Sequence, residues 1–271
     1  TAHRLAQKGV KCLMLEMGLD WENSEHKFSK MIFPHKESTW LRTKTVAPFG
    51  NIFSISKFTG VLDRLDYENV NVYVGRGVGG GSLANGGMAV VPKRSYFEEI
   101  FPELDADKFY SKYFPLVKKE LGVQIIPKDY FESSEYHEYA RIGKKEAEYA
   151  GYKTQFIPNI YDFEYMRKEE KGEVEKSALG HEVIYGNNHG KKDLTKNYLK
   201  WALDSGNVSI LQLHKATEIF QNKDQSYSIS VEILDTKGEV VGRKVYRTNK
   251  LFLGAGSTGT TELLLKSKTK G

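Results

Sequence analysis

Cysteine is nearly absent. Cys12 is the only one in 271 residues, which excludes an internal disulfide framework and any metal cluster built on thiolates. Long apolar runs are missing as well: no stretch approaches the roughly 18 residues a membrane span needs, and no signal peptide opens the sequence. Neither sign of charge dominates. Forty Lys and Arg against 35 Asp and Glu leave +5, a mixed surface rather than the clustered basic face of a nucleic-acid binder. A transmembrane segment and a nucleic-acid partner are therefore not expected. His3, His26, His35, His137, His181 and His214 show no spacing to carboxylates or to each other that suggests a metal site. Internal repeats and low-complexity linkers are also lacking. Apolar residues make up 39% with Tyr included; counting Gly instead of Tyr brings the share just short of the roughly 45–50% of globular chains. Thr1 is not a methionine and falls in what reads as mid-helix, so a segment upstream is expected.

What is present begins with a recognisable order. Ala2, Leu5 and Ala6 share a helical face, and Gly9 ends that helix. Val10-Lys11-Cys12-Leu13-Met14-Leu15 is a near-continuous apolar run, the pattern of a parallel strand covered on both faces, and it closes on Glu16. From Asp20 to about Asp66 the pattern dissolves into aromatics, Lys and Pro and is expected to be irregular. Val70–Val74 reads as a short strand. Helices are expected around Lys93–Phe101, Asp105–Leu121 (interrupted by Pro115), Glu132–Ala150 and Asp193–Ser205. The last third turns to strands at Val208–Leu213, Tyr227–Leu234 and Val240–Arg247, the last two joined as a hairpin across Asp235–Gly238. A further apolar strand, Lys250–Leu253, should enter Gly254-Ala255-Gly256-Ser257 and a helix through Leu265.

Four motifs carry chemistry. An acid at the end of the second strand of a dinucleotide-binding unit accepts hydrogen bonds from ribose hydroxyls, and Glu16 stands in such a place; alone, it reads equally well as a solvated strand end. The second motif runs from Gly75 to Met88, with seven glycines in its first thirteen residues. Glycine permits positive φ and lets backbone N–H groups approach an anion without a Cβ between them. Asn85 adds an amide donor, and the apolar Val78, Leu83, Met88, Ala89 and Val90 argue for a packed loop rather than a loose one. The third, Leu251–Ser257, points helix N–H groups above a sheet but recurs in any αβ protein. The fourth, Gly186-Asn187-Asn188-His189-Gly190, contains a histidine that reads as part of a turn rather than as a base.

The order of these motifs resembles the cholesterol oxidases, within the wider glucose–methanol–choline (GMC) oxidoreductases. The resemblance runs through Met14–Gly18, Gly75–Met88 with Pro92–Phe97, Asn159–Phe163, Glu182–Gly190 and Phe252–Ser257, and so spans essentially the whole chain. It implies an α/β fold: a Rossmann-like FAD-binding domain with a β-meander (residues 1–19, 71–90 and 207–271) and part of an α+β substrate-binding domain (20–70 and 91–206). It implies FAD as cofactor, with Glu16 on the adenosine ribose, Gly80, Gly81, Asn85, Gly86 and Met88 along the pyrophosphate and flavin, and the backbone of Ala216 at the adenine. The activity implied is oxidation of a sterol 3β-hydroxyl, with hydride passing to the flavin and then to oxygen, and a shift of the ring double bond. The acid–base residues belong to a C-terminal half of that family, so no catalytic residue is assigned, and the 271 residues made alone are expected neither to hold FAD well nor to oxidise a sterol. Pro48–Asp63 corresponds to a loop over the sterol cavity and looks short, which leaves another bulky alcohol as substrate. Secretion or a cell-surface place is open on the same resemblance. The rivals are a related dehydrogenase using another acceptor, a noncatalytic binding module and a NAD-binding reductase; the last gives no reason for Gly75–Met88.

Overall fold

The computed structural model describes residues 1–22, 38–46 and 52–268. The chain divides into two compact units, one of Thr1–Ala84 with Trp201–Gly271, the other of Asn85–Lys200. Helix and sheet are mixed.

In the first unit, helix α1 (Ala2–Ala6) leads through Gly9, at φ +72°, into strand β1 (Cys12–Leu15). β1 pairs in parallel with β4 (Val208–Leu211), Cys12 opposite Val208 and Leu15 opposite Leu211. Alanines on the helical faces let helix and strand approach closely: Ala6, Ala202 and Val208 form a buried cluster, joined by Ala2, Cys12, Met14 and Leu203. Coverage is one-sided. Leu13, which points away from that cluster in the alternation of the strand, is 49% exposed, so the expectation of a strand covered on both faces does not hold here.

The stretch expected to be irregular contains strand β2 (Leu62–Asp66), paired antiparallel with β3 (Asn71–Gly75). Val61 and Leu62 are buried, and Asp63, Arg64 and Asp66 break the apolar alternation that would mark β2 in the sequence. The meander β5 (His214–Gln221), β6 (Tyr227–Leu234) and β7 (Val240–Thr248) forms one antiparallel sheet in that order. Its hairpin falls where the sequence placed it. β5 is an addition: Leu213, at φ +56°, turns the chain after β4, so the expected strand to Leu213 ends early and Ala216 lies inside a new strand. Lys250–Leu253 is not a strand. A hydroxyl turn between Thr248 and Lys250 ends β7, Phe252 is 63% exposed, and no ladder partner takes up the run among the described residues. Helix α9 (Gly256–Lys268) follows and lies against β5, where the Ile219 N–H donates to Ser267 Oγ at 3.0 Å.

The second unit is mainly helical. α2 (Arg94–Ile100) is followed by α3 (Ala106–Lys108), capped by the Asp105 carboxylate on Lys108 N–H, then a π-helical stretch Phe109–Tyr113 and α4 (Phe114–Glu120). The wider turn lies just ahead of Pro115, whose ring and missing N–H a regular α-helical turn cannot accommodate. The single helix expected over Glu132–Ala150 is two: α5 (Lys128–Ser133), then, after an extended Ser134, a 3-10 turn Glu135–His137 and α6 (Glu138–Tyr149). α7 (Phe163–Lys171) has Asp162 as N-cap and Gly172 at φ +73° after its end. Tyr130, Phe163, Met166 and Leu179 form a buried apolar cluster in this unit. The helix expected from Asp193 starts as a 3-10 turn, breaks at Asn197 and resumes as α8 (Tyr198–Asp204). No helix among the described residues is long and apolar enough to cross a membrane.

Candidate functional site

Glu16 follows β1 and is gripped by the turn between β4 and β5. Its N–H donates to Leu211 O at 3.0 Å and its carbonyl accepts from His214 N–H at 2.8 Å, while Leu213 N–H donates to Gly18 O. The carboxylate is no free strand end. Oε1 accepts from Gly18 N–H (2.8 Å) and Gly77 N–H (3.2 Å), and because both bonds fall on one oxygen, Oε2 keeps acceptor capacity. Burial pushes this carboxyl above its ordinary range, against the Gly18 and Gly77 amides and the Arg76 charge, which pull it down.

Arg76 was not singled out from the sequence. It donates from Nε (2.9 Å) and Nη2 (2.7 Å) to Asp63 Oδ2, and its guanidinium lies 5.6 Å from the Trp40 ring centroid. This largely buried pair ties the start of the glycine run to β2. The signal was a lone charge between glycines, but its partner is set by the β2–β3 pairing and so was not readable.

The glycines fall into two groups by what a Cβ would meet. At Gly18 it would lie 2.4 Å from Gly77 N, at Gly75 2.9 Å from Gly80 O, and at Gly77 (φ +135°) 2.9 Å from Leu83 Cδ1. These are required by the protein's own packing, around buried Val78 and Leu83. Gly80, at φ +57°, needs glycine for its backbone, yet a Cβ there would meet nothing within 4 Å among the described residues. Gly81 has no positive φ, and a Cβ there would meet nothing within 4 Å among the described residues, so none of them explains the missing side chain.

In the second unit, Asn85, Gly86 and Met88 sit on a short backbone support. Gly87, at φ +74°, would place a Cβ 3.0 Å from the Tyr161 ring, and its carbonyl accepts from Ile160 N–H. Gly86, like Gly81, has no positive φ, and a Cβ on it would meet nothing within 4 Å among the described residues. Tyr161 donates its hydroxyl to Gly86 O at 3.2 Å, and burial pushes that phenol up to about 12. Lys191, fully buried, donates from Nζ to Asn85 O at 2.5 Å and to Asn85 Oδ1 at 3.4 Å; Gly87 N–H also donates to that Oδ1 at 3.1 Å. The amide oxygen of Asn85 is thus held inward and its NH2 is turned out. A cation on the Asn85 carbonyl also makes the N–H of the same peptide, that of Gly86, a stronger donor. Burial lowers the Lys191 ammonium to about 8, opposed by Asp193 and helped by Lys196. Met88 and Val90, expected to help pack the loop, are 70% and 61% exposed.

Ala216 lies opposite Val231, at a β-bulge that shifts register before Glu218. The Asn187–His189 stretch is a built turn: Asn187 Nδ2 donates to Lys176 O and Glu182 Oε2, Lys196 Nζ caps the carbonyls of Asn188, His189 and Lys191, and His189 Nε2 stands 3.6 Å from Glu175. Of the loop Pro48–Asp63, residues 48–51 lie outside the described residues.

A family model described as GMC oxidoreductase, for the N-terminal part of those enzymes, matches residues 43–270. The chain belongs to the GMC oxidoreductases. That family carries out FAD-dependent oxidoreduction of alcohols. The match includes Gly75–Met88 and Ala216, while Glu16 and Gly18 precede it. The residues present fit FAD: at Gly81 and at Gly86 an added Cβ would meet nothing within 4 Å among the described residues, and Glu16 has a carboxylate oxygen to spare.

Proposed function

We propose that this GMC oxidoreductase oxidises the 3β-hydroxyl of a sterol, or a comparably bulky secondary alcohol, with oxygen as final acceptor and with the ring double bond moved into conjugation. When bound, FAD would supply the hydride acceptor. Around it, Glu16 accepts the ribose hydroxyls of the adenosine half, the Ala216 backbone meets the adenine, and Gly80 and Gly81 give N–H groups to the pyrophosphate. Asn85 offers its outward NH2, Gly86 its polarised N–H, and Met88 an apolar side chain at the flavin. Residues 1–19, 71–90 and 207–271 are assigned to a Rossmann-like FAD-binding domain with the β5–β7 meander, and 20–70 and 91–206 to the α+β substrate-binding domain.

The observation that carries the cofactor assignment is the pair Gly81 and Gly86, glycines for which neither backbone conformation nor packing against the described residues gives a reason. The sterol rests on the likeness of Glu182–Gly190 and Asn159–Phe163 to cholesterol oxidases. The test is an enzyme carrying this sequence, purified and assayed for peroxide release with cholesterol, other 3β-hydroxysterols and bulky non-steroid alcohols. Sterol-dependent peroxide with a conjugated ketone product supports the proposal. Turnover of a non-steroid alcohol, or of a sterol only with an artificial electron acceptor, would replace it with a different GMC oxidase or dehydrogenase.

A further inference from the structure

We propose that one water molecule is bound inside the helical unit at the joint between α5 and α6, held by Tyr130, Ser134 and His137. Tyr130 and Ser134 are 1% and 2% exposed, and Tyr130 Oη, Ser134 Oγ and His137 Nε2 are all buried without a hydrogen-bond partner among the described residues. Their convergence follows from the local chain path. Ser134 N–H donates to Tyr130 O at 3.1 Å, which sets the two side chains four residues apart on one face. His137 N–H then donates to Ser134 O at 3.2 Å, bringing the imidazole edge-on to the Tyr130 ring with centroids 5.2 Å apart. The other side of the imidazole is stacked on Phe131 at 6.2 Å, and Phe131 is closed in turn by Phe156 at 4.8 Å.

Nearby protein acceptors are already engaged. Arg141 Nη1 donates to Phe131 O (2.6 Å) and Ser134 O (2.7 Å), which also fixes the extended residue between the helices. The charged groups around the joint are Arg141 from α6, Glu169 and Glu170 from α7, and Arg167, whose guanidinium lies 4.6 Å over the Tyr130 ring and is paired with Asp129. Burial, with Arg141, holds the imidazole below its ordinary range against Glu170, so at neutral pH the ring is uncharged and one nitrogen can accept. Burial likewise pushes the Tyr130 phenol up to about 12, keeping its proton, against the opposing pull of the Ser134 hydroxyl beside it. The joint therefore offers two hydroxyl donors and one acceptor. A water accepts from both hydroxyls and donates to the ring, the two to four polar partners that retain an internal water.

The sign of three substitutions tests this. With a shared water, Tyr130→Phe, Ser134→Ala and His137→Phe each strip a partner from a satisfied network. Each is expected to lower Tm by about 2–4 °C in a chain of this size, and the triple variant by less than the sum, because it leaves nothing unpaired. Without a water, each single change removes a buried unpaired group and raises Tm, which overturns the proposal. A direct bond between two of the three groups, Tyr130 with Ser134 or Tyr130 with His137, would make substitution of the third silent or stabilising, and that result overturns it too. A density peak within hydrogen-bonding distance of all three atoms in a high-resolution crystal structure of the protein supports the proposal, and direct contacts with no room for a peak sink it even if a variant does not fold.

Discussion

At the scale of the residue, Glu16 joins two demands that pull in opposite directions. Its Oε1 serves Gly18 and Gly77, which needs an acceptor but no charge, whereas ribose hydroxyls favour a carboxylate. Because burial raises its folded-state pKa above the ordinary 4.5, the group's contribution to stability is complete below that value and is lost as pH rises through the folded pKa. Glu16→Gln, which keeps the acceptor and drops the charge, should therefore leave the flavin-free protein as stable or more so at pH 7, with the difference closing near pH 4. FAD affinity should fall about tenfold or more. Thermal melts across pH beside flavin titrations check this; a destabilised apoprotein with normal affinity would make Glu16 a purely structural acid. His137 has the opposite sign. Its pKa is depressed by burial, so its contribution is present above the ordinary 6.5 and is lost as pH falls through the folded value. The His137→Phe variant should show a flatter loss of Tm between about pH 6.5 and 4.5 than the parent. Sequence alone exposed Glu16, because a strand that closes on an acid is a local pattern. Arg76, Lys191 and His137 draw their character from burial and from partners 13, 106 and a few residues away, and no local pattern carries that.

Among the elements, Gly75–Met88 shows how one composition serves two purposes. Gly77→Ala must force a Cβ into Leu83 at a backbone φ of +135°, which costs on the order of 1–3 kcal/mol, and should lower Tm whether or not flavin is bound. Gly81→Val meets none of the described residues within 4 Å of its Cβ, so Tm of the flavin-free protein should hardly change, while retention of flavin through purification should collapse. If Gly81→Val purifies fully yellow, the open side of that glycine does not face the cofactor. The loop was legible as a ligand loop from composition, but not which glycines served the fold. Elements with strong local signals emerged where the sequence put them: the β6–β7 hairpin with its Asp-Thr-Lys-Gly turn, the β1 run, the helix after Gly254-Ala255-Gly256. The misreadings share a cause, since strand or coil is decided by a ladder partner. Lys250–Leu253 has the apolar run but no neighbour among the described residues, while charged β2 and polar β5 have neighbours and become strands. The helix expected over Glu132–Ala150 breaks because Arg141 ties the carbonyls of Phe131 and Ser134 from the far side of the joint.

For the molecule as a whole, the division into two units makes the cofactor assignment separable by halves. Glu16, Gly80, Gly81 and Ala216 belong to the unit of Thr1–Ala84 and Trp201–Gly271, and Asn85, Gly86 and Met88 to the unit of Asn85–Lys200. A ligand that binds only the folded state stabilises by about 2.7 kcal/mol at a hundred times its Kd. For a chain of this size that corresponds to roughly 5–10 °C in Tm. In an enzyme carrying this sequence and stripped of flavin, FAD should produce such a shift. ADP, which is the adenosine and pyrophosphate half alone, should produce a smaller one and slow hydrogen exchange at the N–H groups of Gly77 and His214, which lie beside or bond to Glu16. FMN, which lacks the adenosine, should leave those amides untouched. Introducing Glu16→Gln should shrink the FAD and ADP shifts together, because both ligands present the same ribose to the same carboxylate. If ADP gives neither a Tm shift nor protection at those amides while FMN gives both, the first unit does not hold the adenosine. The roles proposed for Glu16 and Ala216 then fall, even though membership of the GMC oxidoreductases stands on the family match over residues 43–270.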